Sequence, residues 1–456
     1  MFFTHNRGSG RLSGQIFFAG GRIGQDTSYA LLYLFTIIKL ISTKWMFISL
    51  RLITIQVLGK TVTIKIKKHI HQMTRRYIPT LVGFGTLMLF SFQSSAQTPA
   101  VKFKKQLIAT ESAESVGVFD VNGDGVLDIV SGSFWYEGPG YKKRTLIGQI
   151  RRENEYFDDF STIAMDVNGD GRTDFVTGGW FNGNLVWKEN PGDNKQWTEH
   201  VIAKAGNIET TRAWDVDGDG FDEIVPNTPN DPLAYYKLER DASGKGTGKF
   251  TQIIVSEKQG HGLGFGDING DGRGDFIVPG GWLEAPDDPE KGEWKFHPTF
   301  DLKHASVPMI VVDVNKDGLN DLIVGKGHDY GLDWYEQVRQ GDDIQFVRHP
   351  IDPFQSQYHT MEWVDIDNDG EMELVTGKRF RAHNGGDPGA DDHLGLYYFK
   401  WNGESFTKNI ISYGPFGEGK GAGIFFSVAD LTGSGSKDVV VAGKDGLYVF
   451  FNEGNK

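Results

Sequence analysis

Asp267-Ile268-Asn269-Gly270-Asp271-Gly272-Arg273-Gly274-Asp275 places side-chain oxygens at positions 1, 3, 5 and 9 of a nonapeptide, with glycine at position 6. That spacing wraps a backbone loop around one hard cation, and Ca²⁺ is the usual occupant of an all-oxygen cage of this kind. The pattern begins as the calcium loop between two helices does, but position 12 is Val278 and not the bidentate Glu. Val, Ile and Phe on both sides predict that this loop joins two strands instead.

The nonapeptide occurs seven times. The first loop is Asp120, Asn122, Asp124 and Asp128, the second Asp166, Asn168, Asp170 and Asp174, and the third Asp215, Asp217, Asp219 and Glu223. The fourth is Asp267, Asn269, Asp271 and Asp275, the fifth Asp313, Asn315, Asp317 and Asp321, and the sixth Asp365, Asp367, Asp369 and Glu373. The seventh, Asp430, Thr432, Ser434 and Asp438, has lost two strong ligands and is expected to bind weakly or not at all. Successive loops start 46, 49, 52, 46, 52 and 65 residues apart.

Each unit has one grammar. A short apolar strand enters the loop, a second leaves it as Asp-Ile-Val or Asp-Phe-Val, a third carries aromatics such as Phe134-Trp135-Tyr136, and a fourth runs as Trp197–Ile202 or Phe406–Ile411. Four strands per unit and seven units predict an all-β, seven-bladed β-propeller. The chain stops before an outer strand can follow the seventh loop, whereas Phe103–Ile108 has the outer-strand pattern and no loop before it. That segment is expected to complete the last blade and close the ring, which removes two exposed edges. The loops resemble the FG-GAP/VCBS repeats of integrin-type and secreted bacterial propellers, over about residues 101–454.

Composition agrees with a turn-rich β protein: 60 of 456 residues are Gly, about twice the usual ~7%. The first 96 residues stand apart, with 12 Lys or Arg and one acid, Asp26. Met73-Thr74-Arg75-Arg76 opens a basic segment, Ile78–Phe92 is apolar, and Ser94-Ser95-Ala96 is a small-residue cleavage site. Residues 73–96 therefore read as a secretory signal and residues 1–72 as an upstream mis-start with no fold expected; Lys39 and Lys44 interrupt the rival anchor, Tyr29–Leu50. The domain is expected at 97–456, exported to the periplasm or medium, without a membrane span and as a monomer. It keeps 35 basic against 59 acidic residues, a formal charge of −24, which argues against nucleic acid or an anionic membrane as partner. With no Cys, its stability is expected to come from packing and bound metal.

Chemistry is expected on the face opposite the cation loops, around the axis where seven strand starts converge. His200, His297 and His349 share one outer-strand slot and read as part of the repeat. His261 and His359 each stand six residues before a loop, in a slot that elsewhere holds Glu114, Phe160, Glu209, Val307 and Ile424. His304, His328 and His383 fall on the same face in neighbouring blades. Three neutral imidazoles from this set, with His261, His304 and His359 as first choice, suit Zn²⁺ or another divalent cation; otherwise the His fill a wet, polar channel. Trp135, Trp180 and Trp282 fall in equivalent turns suited to stacking on a sugar, or to packing between blades. Lys326, Lys378, Arg379, Arg381 and His383 are suited to a carboxylate or carbonyl. The stretch 378–388 is longer and richer in glycine than the matching turns.

His261-Gly262-Leu263-Gly264-Phe265-Gly266-Asp267, the run Gly327–Glu336 and Gln357-Tyr358-His359 resemble the propeller domain of the fungal aldos-2-ulose dehydratase type. The resemblance implies elimination of water from a ketosugar, with metal held in the propeller. The cupin domains that follow the propeller in that family have no counterpart within these 456 residues. The leading expectation is a metal-assisted lyase acting on a carbohydrate, with Tyr330, Tyr358 or His328 as base. The alternative is a non-catalytic propeller that binds glycan or protein.

Overall fold

The computed structural model describes residues 52–57, 60–65, 100–341 and 343–454. The chain divides after Ser94 into two compact units. Of the first, the described part is an antiparallel pair, Leu52–Val57 with Lys60–Lys65. No fold was expected there; Ile53, Ile55, Val62 and Ile64 alternate with polar residues and suit a strand. The signal-like segment 73–96 lies outside the described residues.

The second unit is a seven-bladed propeller, each blade an antiparallel four-stranded sheet. From axis to rim, blade 1 comprises Gly117–Phe119, Asp128–Ser131, Phe134–Tyr136 and Arg144–Leu146. Blade 2 comprises Ile163–Met165, Asp174–Gly178, Asn184–Glu189 and Thr198–Lys204, and blade 3 Thr210–Trp214, Glu223–Asn227, Leu233–Arg240 and Gly246–Ser256. Blade 4 is built from Gly264–Gly266, Asp275–Val278, Gly281–Glu284 and Lys295–Pro298, and blade 5 from Ile310–Val312, Asp321–Gly325, Tyr330–Gln340 and Asp343–Ser356. Tyr358–Val364, Glu373–Lys378, Leu394–Trp401 and Phe406–Gly414 form blade 6. Blade 7 joins Ser427–Ala429, Asp438–Val441 and Leu447–Asn452 to the N-terminal strand Phe103–Ala109, which pairs antiparallel with Leu447–Asn452 as the outer-strand pattern predicts.

Each second strand is buried from end to end. Sheets covered on both faces call for unbroken apolar runs, and Asp-Phe-Ile-Val is one. Outer strands alternate, as in Thr198–Lys204, because only one of their faces is covered. The inner strands enclose an axial cavity of about 600 Å³, lined by Val118, Ala164, Trp214, Phe265, Val311 and Trp363 among others. Two features interrupt the repeat: a short hairpin, Arg152–Glu153 with Tyr156–Phe157, and the long connection after Lys378, which carries a 3-10 turn at Ala382–Gly385.

The outer-strand histidines pack within their blades. His200, His297 and His349 stack on Trp187, Trp282 and Trp334 at centroid distances of 4.3, 4.1 and 4.6 Å. Each Nε2 also meets a third-strand carboxylate, Glu189, Glu284 or Glu336, at 2.7, 2.7 and 2.8 Å.

Candidate functional site

The nonapeptides fold on their own side chains. In blade 4, Asp267 Oδ1 accepts the Gly270 and Asp271 N–H at 2.7 and 3.2 Å, and Oδ2 accepts the Gly272 N–H at 2.9 Å. Gly272 has φ 86°, a left-handed turn that favours glycine. Asp275 is buried and takes the Ile268 and Ala285 N–H, both at 2.9 Å, so position 9 pins the loop to the third strand. Burial first, then the neighbouring Asp271 and Asp267, push its carboxyl up to about 7 against those hydrogen bonds. An all-oxygen, crowded acidic donor set of this kind fits a calcium ion.

At the opposite ends of the inner strands, four side chains from four consecutive blades converge. Glu209 comes from the start of blade 3, His261 from the approach to blade 4, His328 from the turn between the second and third strands of blade 5, and His359 from the inner strand of blade 6. One ligand atom from each lies within 4.8 Å of all the others. Glu209 Oε1 is 2.8 Å from His359 Nε2, 3.7 Å from His261 Nε2 and 3.8 Å from His328 Nε2. Close packing fixes the arrangement: a Cβ on Gly327 would stand 2.9 Å from His359 Cδ2.

The remaining ring nitrogens determine what the cluster can hold. His261 Nδ1 faces the Ala305 carbonyl at 3.0 Å, and His328 Nδ1 faces Asp387 Oδ2 at 2.7 Å. Both acceptors require an N–H, which leaves a lone pair on each Nε2 when the rings are neutral. Those two Nε2 atoms are 2.9 Å apart. Two lone pairs so close, beside a carboxylate, call for a proton or a metal ion between them. Backbone carbonyls and carboxylates on the far ring nitrogen are the usual outer contacts of metal-bound histidine. His359 Nδ1, by contrast, has no hydrogen-bond partner among the described residues.

Burial lowers the pKa of His359 strongly and that of His328 less, so both favour the neutral, ligating form at neutral pH. Burial alone would raise Glu209, yet hydrogen bonds with His261 and His359 hold it well below the usual carboxylate range. Arg379 adds to this, with Nη1 3.1 Å from Glu209 Oε1 and Nε 3.0 Å from Glu114 Oε1. All three groups of this Glu114–Arg379–Glu209 bridge are buried. Asp387 also accepts from His383 Nδ1 at 2.7 Å, and the His383 ring stacks on His328 at 4.4 Å. Although burial opposes it, these two histidines hold Asp387 down to about 2.

The structure therefore brings His261, His359, His328, His383 and Arg379 together and separates the other sequence candidates from them. His304 is exposed in a left-handed backbone conformation (φ 59°), its ring 6.4 Å from that of His328, and Glu209 stands where the expected third ligand would be. Tyr358 is fully buried against Asp352 at 2.7 Å, and burial drives its pKa far upward, which removes it as a base. Tyr330 donates to Asp392 at 2.5 Å, away from the cluster. Lys378 is buried and anchors the long loop through Ser356, Gln357 and the Gly389 carbonyl. Trp135 and Trp282 are buried between blades and closed to a sugar ring. Trp180 is half-buried against Tyr156 and Phe160.

Arg381 binds Glu155 at 3.1 Å and lines a pocket of about 320 Å³ with Arg152, Lys444, Phe380 and Phe416. Glu209, Glu114 and Asp387 join the site without being among the sequence candidates. The first two were visible as occupants of the His261/His359 slot; nothing in a single sequence marks Asp387.

A model of the FG-GAP-like repeat matches residues 166–225 and 313–376, two stretches that each run from one cation loop into the next blade. No curated protein matches this chain. Among solved structures, an Agrocybe aegerita lectin described as recognising non-reducing terminal N-acetylglucosamine is similar at 14% identity and TM-score 0.40, over 78% of this chain and 94% of that one. The V. cholerae biofilm matrix protein Bap1 is similar at 16% identity and TM-score 0.31, over 72% of this chain and 45% of that one.

Proposed function

We propose that this propeller is an exported, carbohydrate-active protein whose axial face holds one divalent ion on His261, His328, His359 and Glu209 and supports elimination on a sugar or ketosugar. The observation that carries the reading is the 2.9 Å approach of the His261 and His328 Nε2 atoms, whose other nitrogens are already committed. Three imidazoles and a carboxylate suit zinc or a similar ion better than calcium. The nonapeptide loops are proposed to hold structural calcium at the other face.

When bound, the ion would polarise a carbonyl or carboxylate next to the carbon that loses its proton. The chain supplies the base. Asp387 orients the His383 ring through Nδ1, which leaves Nε2 as the proton acceptor, and the His383 side chain is 63% exposed, open to a ligand. As His383 removes the proton, the C–H electron pair forms the double bond. The imidazolium can then protonate the departing hydroxyl, so that water leaves. His261, at 20% exposure, is the accessible edge of the cluster.

A second reading has one specific support. The pocket of Arg152, Arg381 and Lys444 beside the stacked Phe380/Phe416 pair (5.3 Å) suits an anionic or hydroxylated glycan without any chemistry. The test is a panel of ketosugars and uronate-containing glycans, followed by ultraviolet absorbance for a new conjugated double bond. Absorbance growth that is lost in His383→Ala supports elimination. Saturable binding with no absorbance change, abolished by Arg381→Ala, leaves the binding reading instead.

A further inference from the structure

The cation loops vary at three positions at once. In blades 1, 2, 4 and 5, position 3 is Asn (Asn122, Asn168, Asn269, Asn315), position 9 is Asp, and the third-strand residue opposite position 9 is Glu (Glu137, Glu189, Glu284, Glu336). In blades 3 and 6, position 3 is Asp (Asp217, Asp367), position 9 is Glu (Glu223, Glu373), and the facing residue is Lys (Lys237, Lys400). The exchange is a charge inversion across one contact. Asn315 Nδ2 donates to Glu336 Oε1 at 3.3 Å, and Asn168 Nδ2 reaches Glu189 Oε1 at 3.5 Å; in the other class an ammonium donates to Asp.

The ammonium sits where the ligand oxygens meet. Lys400 Nζ is 2.6 Å from Asp367 Oδ2, 2.5 Å from Asp369 Oδ2 and 3.1 Å from Glu373 Oε1. Lys237 Nζ pairs with Asp217 and lies 3.0 Å from Asp219 Oδ2, with Glu290 at 2.9 Å. A calcium ion held by the same oxygens would stand ~2.4 Å from each, overlapping the ammonium. The Arg side chains of the first class do not do this: Arg172 and Arg273, half-exposed, reach only the position 5 carboxylates Asp170 and Asp271 among the loop ligands.

We infer that the loops of blades 3 and 6 carry their own cation, and that Lys237 and Lys400 replace a divalent ion there, so that four of the seven loops and not six take calcium. The inference rests on the calcium reading of the loops and is independent of the axial cluster. Ligands are not what these two loops lack. Among the described residues, these are the loops in which three carboxylates come within 4.8 Å of one another, and Asp215 Oδ1 and Asp367 Oδ1 are buried there with no hydrogen bond from a described residue. Removing the ammonium should therefore restore a site.

Equilibrium dialysis of the full protein against calcium is expected to give four ions per chain, five in Lys237→Met or Lys400→Met, and six in the double variant, with circular dichroism confirming the fold of each. A wild-type count of five or more, or variants that stay at four, would overturn the inference. A count of zero would remove the calcium reading of the loops altogether and the inference with it.

Discussion

At the scale of the residue, the axial cluster depends on groups that cannot be spared singly. Arg379 is buried between Glu114 and Glu209, and removing one member of a buried ion network leaves an uncompensated charge that costs ~3–5 kcal/mol. Arg379→Met is accordingly expected to lower unfolding stability by that order in a urea titration, and a loss under ~1 kcal/mol would mean that the bridge is not formed. Lys378 gives a pH signature. Burial brings its pKa down to about 8, so between about pH 8 and pH 10 the unfolded chain holds a proton that the folded chain has released. Stability then rises with pH through that window, by on the order of 3 kcal/mol in total. Thermal melts of wild type and Lys378→Met across pH 7.5–10 should show the rise in the first and a flatter profile in the second.

The same scale shows what could be read in advance. His261 and His359 stood out because they occupy one slot of the repeat, and equal slots in a ring converge on its axis. Glu209 occupies that slot too, in the adjacent blade, but a carboxylate there carries no mark of its own until the histidines are seen to face it. Of the two roles open to the tryptophans, packing holds for Trp135 and Trp282, and for Trp282 the reason is its place opposite His297 in the sheet register, where the cross-strand partner covers it. Asp387 lies in a connection of unique length, where the repeat supplies no register at all.

At the scale of the element, the loops and the closing strand do the organising. The position 9 aspartates tie their loops to the end of the third strand, as Asp275 does through the Ala285 N–H and Asp321 through the Gln337 N–H. Asp275→Ala removes two buried hydrogen bonds and exposes two backbone donors to burial without partners. It is expected to lower the unfolding free energy from a urea titration by about 2–5 kcal/mol, far more than Asp271→Ala in the same loop. Blade 7 depends on Phe103–Ala109. Deleting residues 97–109 leaves Leu447–Asn452 as an open edge, and size-exclusion chromatography is expected to show aggregation or dimers in place of a stable monomer. Both features were legible as sequence, because nonapeptide spacing and strand pattern are local properties.

At the scale of the whole molecule, the propeller divides its tasks between two faces. Oxygen-rich loops at one end staple each blade, and nitrogen-rich side chains at the other converge on the axis. Residues spread over blades 3 to 6 meet because the strand starts of successive blades face one axis, so the His261, His328, His359 and Glu209 cluster is a product of the ring. Chelation is expected to act on both faces: with EDTA the melting temperature should fall, and each calcium site present at a hundredfold its dissociation constant restores ~2.7 kcal/mol when the ion returns. The central claim concerns the axial face alone. X-ray absorption at the zinc edge of the protein loaded with one equivalent of Zn²⁺ tests it directly, and the expected spectrum shows three imidazole nitrogens at ~2.0–2.1 Å with one oxygen, reduced to two imidazoles in His359→Ala. An all-oxygen shell, or a spectrum unchanged by that substitution, would contradict the account.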